Sequence, residues 1–369
     1  MARVEDQYQT LVHLAAVFSS LATLISLWSM WNHLKLYHQP GLQRWVIRLL
    51  WMTPVYALTS WASLQSIDAA YYLDTVRDVY EGFVIYSFFN LLVSYLGGER
   101  ALLIMLHGRP PTPHMWPVHY WARPMVVGDP YSFLFLKRGI LQYVYVKPVL
   151  AIITMLLKSN AVYEDGNFAL TSGYFWVSFV YNLSVSWCLY CLAIFFMATK
   201  EDLQPFRPFP KFLCVKAILF FSFWQSLAIS VMVSLGVIQS TDTLTTENLS
   251  VFLQDWLICL EMVFAALGHW YSFSHHDFTP TQRISARMQL KYAFRDAVGI
   301  KDIIVDSVDT YTGHGFTYRA FDSIESTRPA GERPQMHPGD QNRLMAGMRY
   351  TRGGTGKYWL PVDATGERR

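Results

Sequence analysis

Seven stretches of roughly 20 mostly apolar residues, each long enough to cross a bilayer, dominate this sequence. They run at about 10–31, 49–67, 79–96, 139–157, 172–197, 212–238 and 250–272. Lipid offers backbone groups no hydrogen-bond partner, so such runs fold as helices that satisfy their own amides. The expected fold class is therefore an all-α membrane protein, a seven-transmembrane helix bundle. Charged residues make up only 15% of the chain, against about 25% in soluble domains. The polarity is also split: residues 10–273 hold nearly all the apolar runs, and 274–369 are polar. A single soluble domain and a disordered chain are both excluded.

Basic residues orient the spans. Lys35, Arg44 and Arg48 follow the first; Arg100, Arg109, Arg123, Lys137 and Arg138 follow the third; Lys200, Arg207 and Lys211 follow the fifth. The opposite side holds Arg3, Arg77 and Lys158, while the tail adds fourteen cations to the rich side. This distribution predicts an N-terminus outside or in a lumen and a C-terminus in the cytosol. The first span is expected to insert as an uncleaved anchor, since Glu5 and Asp6 stand where a secretory peptide would be basic. Three segments follow: a transmembrane domain over 1–273, a juxtamembrane helix and tail motif over 274–325, and a disordered tail over 326–369. That last stretch carries seven glycines and four prolines with few aliphatics.

Charges inside a span cost about 2.5–3.5 kcal/mol each on insertion scales, so each asks for a reason. Lys147 lies near the middle of the fourth span and Glu261 at the middle of the seventh. Opposite signs at matching depth suggest a pair or two ends of one polar site, and a structural ion pair explains them equally well. Pro148 frees backbone carbonyls in the same turn as Lys147. Asp255 lies near the outer end of the seventh span, within expected reach of water. Asn90, Gln142, Asn182 and Gln225 add uncharged polar groups to a plausible polar interior, as substrate contacts or as interhelical hydrogen bonds. His13 reads as a hydrogen-bonded histidine of the bundle.

Other chemistry is sparse. Cys188 and Cys191 form a CxxC, but within lipid, where a redox or metal role is disfavoured. His275-His276-Asp277 lacks a distant third ligand. With no phosphate loop, nucleophile elbow or HExxH helix, neither an enzyme nor a cofactor nor a resident metal is expected. Nothing points to nucleic acid.

In the tail, Arg283, Arg287, Lys291 and Arg295 recur every four residues. That spacing suits an amphipathic helix on the inner leaflet, with a solvated charged helix as the alternative. Phe321-Asp322-Ser323-Ile324-Glu325 has the aromatic-x-x-aliphatic form that adds as a strand to ubiquitin-like autophagy modifiers, with Phe321 and Ile324 filling the two pockets.

Several segments together resemble one family: YSFFNLLVSYLGGERAL from Tyr86, GILQYVYVKPVLAII from Gly139, and the stretch from Tyr181 to Ser226 with KEDLQPFRPFPKF. Glu261-Met262 and FRDAVGIKDIIVDSVDTY from Phe294 extend the match. The chain resembles the transmembrane protein 184 family, related to the alpha subunit of the organic solute transporter. The resemblance implies a seven-span bundle and the moving or binding of amphipathic organic anions or lipids at an intramembrane site, where Lys147 would suit an anion. It implies a single-span partner subunit, and a vacuolar, endosomal or plasma membrane. The 184 branch equally implies a trafficking or autophagy-linked scaffold acting through its cytosolic loops and tail.

Overall fold

The computed structural model describes residues 2–107, 109–159, 172–235, 246–278, 288–299 and 301–313. Eleven α-helices account for most of them: α1 (Ala2–Lys35), α2 (Pro40–Leu50), α3 (Met52–Gln65), α4 (Ile67–Tyr95), α5 (Glu99–Leu106), α6 (Pro130–Ser159), α7 (Gly173–Leu203), α8 (Pro208–Ser234), α9 (Thr246–Ser272), α10 (Leu290–Val298) and α11 (Lys301–Thr312). The described residues hold no β-strand, and one isolated bridge joins Thr112 to Met125. Among the described residues, each of the seven apolar stretches lies mostly on helix. Four helical segments among the described residues are long and apolar enough to cross a membrane: Tyr8–Lys35, Pro130–Leu157, Gly173–Phe206 and Asn248–Phe278. The broken pair Thr75–Tyr95 and Glu99–Leu106 would make a fifth. The second predicted span is divided at Trp51, and α3, at about 21 Å, is shorter than the hydrocarbon layer.

The chain forms two compact units. The first takes in 1–95, 142–186 and 201–300. In it α1, α3 and α9 pack on one another, α4 lies on α3, and α8 lies on α9. The packing faces are built from small residues. Ala15, Ser19, Ala22, Ala57, Ser60 and Ala266 are buried, whereas Val17, Leu24, Trp28 and Phe264 are exposed. That inversion of a soluble core is what lipid selects, because small residues let backbones approach and apolar chains meet acyl chains. Ser19 donates to the Ala57 carbonyl at 2.7 Å across α1 and α3. A cluster of Val12, Ala15, Leu64, Phe252 and Cys259 closes one end of this core. His13 is exposed on α1 rather than bonded in the bundle, because it sits about 100° around the helix from buried Val12.

Helix α10 docks on α2 through buried Ala293 and Ala297. Arg48 holds its end, donating from Nε to the Ala297 carbonyl at 3.1 Å and from Nη2 to the Gly299 carbonyl at 2.5 Å. Tyr37 donates to Asp296 at 2.7 Å. Burial, and then that bond, push the Tyr37 phenol far above its ordinary pKa, so it stays a donor.

The second unit takes in 96–141, 187–200 and the chain from 301. Gly97 and Gly98, both at positive φ, make the turn into α5 that other residues resist. Gly139 lets α6 meet α7: a Cβ there would lie 2.4 Å from Cys191 Sγ. Arg138 donates to the Thr310 and Tyr311 carbonyls at 2.8 Å each, holding the end of α11 as Arg48 holds α10. Lys137, fully buried, pairs with Glu99 and Asp306.

Candidate functional site

Helix α4 carries Arg77, Asp78 and Glu81 within little more than one turn, and the 3.6-residue repeat turns them toward one side. Arg77 Nη1 donates to Asp255 Oδ1 on α9 at 3.1 Å and to Ser60 Oγ on α3 at 2.9 Å. Ser63 donates to the other Asp255 oxygen at 2.5 Å. Asp255 is only 2% exposed, which corrects its expected contact with water: Arg77 reaches across and makes burial tolerable.

Lys147 is paired on α4, not with Glu261. Its Nζ lies 3.2 Å from Asp78 Oδ1 and 3.6 Å from Glu81 Oε2, and 4.3 Å from the centre of the Tyr181 ring. Tyr143 donates to Glu81 at 3.2 Å. The network thus sets two cations, Arg77 and Lys147, against three carboxylates, Asp78, Glu81 and Asp255. The charge of Lys147 is thus met by Asp78 and Glu81. Sequence reasoning missed Arg77, Asp78 and Glu81 as partners, and the i, i+1, i+4 spacing of three charges at the head of an apolar run was the available signal.

Glu261 stands apart from that network. It lines a cleft of about 350 Å³ between α8 and α9 with Cys214, Ala217, Ile218, Phe221, Met262 and Phe264, among others. The volume falls at the small end of ligand sites, about 300–1,000 Å³. The walls are apolar and the cleft is open on one side, with Phe221 and Phe264 exposed at its rim. Glu261 Oε2 is buried and has no partner among the described residues. Gln225, on α8 four residues beyond Phe221, likewise has both amide atoms buried and unpartnered among them.

The remaining polar positions are dispersed. Gln142 and Ser184 exchange hydrogen bonds, Nε2 to the Ser184 carbonyl at 2.9 Å and Ser184 Oγ to Oε1 at 2.8 Å, joining α6 to α7. Asn90 is buried, its amide nitrogen unpartnered among the described residues. Asn182 is exposed and donates to the Ser178 carbonyl of its own helix at 2.8 Å, so it is turned away from the interior where it was expected. Lys291 and Arg295 are exposed on α10, away from its buried alanines. Arg283, Arg287, Phe321 and Ile324 lie outside the described residues.

The family model for "Organic solute transporter Ostalpha" matches residues 11–278, from α1 through α9 and across both the charged network and the cleft. The chain belongs to the organic solute transporter alpha family. It is 41% identical over 352 residues to the vacuole membrane protein hfl11 of Schizosaccharomyces pombe, covering 95% of this chain and 80% of that relative. No solved structure matches. The family is of transporter type, and this member, with its several apolar spanning helices, is a multi-pass integral membrane protein. Within the organic solute transporter alpha frame, Glu261 and the network of Lys147 fall inside the shared region, and α10 and α11 fall beyond it.

Proposed function

We propose that this chain moves amphipathic organic solutes across a vacuolar or related membrane, binding them in the cleft between α8 and α9. In this reading seven spans cross the bilayer, the N-terminus is outside or lumenal, and the tail is cytosolic. The observation that carries the proposal is the cleft itself: apolar walls, an open side, and one carboxylate without a partner among the described residues. An opening of that kind admits a solute sideways from lipid, keeps its apolar body against Phe221 and Phe264, and presents its polar end to Glu261. Kinship with transporters and with a vacuole membrane protein agrees with it. The charged network of α4, α6 and α9 is, in this reading, the frame that holds the helices. The test is saturable uptake of labelled amphiphiles into proteoliposomes holding the purified chain. Filling the cleft with Ala265→Trp should abolish uptake, and unchanged uptake by that variant would remove the cleft from the mechanism.

A further inference from the structure

We infer that the cleft between α8 and α9 selects amphiphiles with a protonated amine head, and that Glu261 is the group that receives it. This rests on the cleft being the solute site. An ionised carboxylate has only acceptor oxygens, and one left unpaired in an apolar site carries a large desolvation cost. Among the described residues no cation meets Glu261, and its Oε2 is buried without a hydrogen-bond partner. Among the described residues the lining side chains beside it are hydrocarbon apart from the Cys214 thiol and the Met262 thioether, and none of them carries a positive charge. An ammonium head completes such a site: it cancels the charge and brings three donors and no acceptor.

Gln225 is a second polar group of α8 left unpartnered among the described residues. It lies on the same face of α8 as Ile218 and Phe221, seven and four residues away, and its amide oxygen is a second buried acceptor without a partner among the described residues. Its amide nitrogen is a buried donor likewise unpartnered among them, so Gln225 can accept from an amine or donate to an anion, and the preference for an amine rests on Glu261. A carboxylate or sulfate head would instead set a second negative charge against Glu261, with no cation among the described lining residues to offset it. Lys147 is already held by Asp78 and Glu81 and is not among the residues that line this cleft.

The test is equilibrium binding of tritiated dodecylamine, dodecanol and dodecanoate to the full chain in nanodiscs, each corrected for empty nanodiscs. The amine should bind about tenfold or more tightly than the carboxylate, a difference of at least about 1.4 kcal/mol. Glu261→Gln, which keeps the shape of the side chain, should bring the amine down to the level of the alcohol. Equal or tighter binding of dodecanoate, or an unaltered ranking in Glu261→Gln, overturns the amine assignment while leaving the cleft as a solute site. Two variants from opposite walls, Ala265→Trp and Ala217→Leu, should each weaken all three probes. If neither does so in protein that elutes as a single folded species, or if the native chain binds none of the probes, the cleft is not the site and the assignment falls with it.

Discussion

Arg77 and Asp255 form an ion pair whose side chains are 12% and 3% exposed, with Ser60 accepting from the same Arg77 Nη1 and Ser63 donating to the second Asp255 oxygen. Removing one partner of such a pair strands the other and costs about 3–5 kcal/mol. Arg77→Met and Asp255→Leu should each lower the thermal midpoint of the purified protein by several degrees, and the double variant should recover part of the loss. Additive losses in the double variant would show that the two side chains are not coupled. The same logic makes Lys147→Met a stability variant: it leaves Asp78 and Glu81 beside each other with no cation between. Adding Glu81→Gln should restore much of its midpoint. Hydropathy located Lys147 and Glu261 in depth but could not give their angle around the helix, and angle decides partnership. Starting the third span at residue 79 also left Arg77 and Asp78 in an outer loop, where charges need no partner. The helix in fact begins at Ile67, so both residues sit on an ordered face that turns toward α6 and α9.

Helix ends beyond the last span are held by arginines that the sequence reading used only for orientation. Arg48 takes the final carbonyls of α10 and Arg138 those of α11. A guanidinium suits this work because its planar fork delivers two donors from one rigid group, and a cation at a helix C-terminus also opposes the helix dipole. Hydrogen bonds to a charged group contribute about 1.5–3 kcal/mol each. Arg48→Ala should therefore speed amide exchange over 290–298 by an order of magnitude or more, while α9 stays protected; Arg48→Lys should rescue it only in part. Exchange in α10 that ignores Arg48 would mean that Ala293 and Ala297 hold the helix unaided. The fourfold basic spacing announced a helix near here, and α10 does present Lys291 and Arg295 outward. Its docking was not legible, because two alanines give a weak apolar signal and their value lies in allowing α2 to come close. At the crossing of α6 and α7 the decisive residue is again the smallest. Gly139→Val places carbon against Cys191 Sγ and Trp187, and such overpacking costs about 1–3 kcal/mol. A lowered thermal midpoint should be regained, at least partly, by Cys191→Ala.

At the scale of the molecule the number of spans decides which parts of the chain share a compartment. Four described segments are long and apolar enough to cross, a bent pair would make five, and the apolar runs of the sequence make seven. The difference lies in α3, too short alone, and in α8, 27 residues long and strongly apolar but not among those four. Every buried serine and exposed tryptophan on α1 argues that α3 stays in the membrane with it, since α3 fills the small-residue face of α1 through Ser19 and Ala57. Parity then gives a clean discrimination. An even count puts the N-terminus and residue 313 on one side; five or seven put them on opposite sides. Single-cysteine reporters on a chain whose own four cysteines are replaced, probed with an impermeant reagent in sealed vesicles, should react at residue 4 from one face and at residue 313 from the other. Reporters at Ser66 and Phe209 separate five from seven. With seven spans, Ser66 reacts from the N-terminal side and Phe209 from the side of residue 313. If Ser66 instead shares the compartment of residue 313, α3 does not cross, and the bundle has fewer spans than its apolar runs imply.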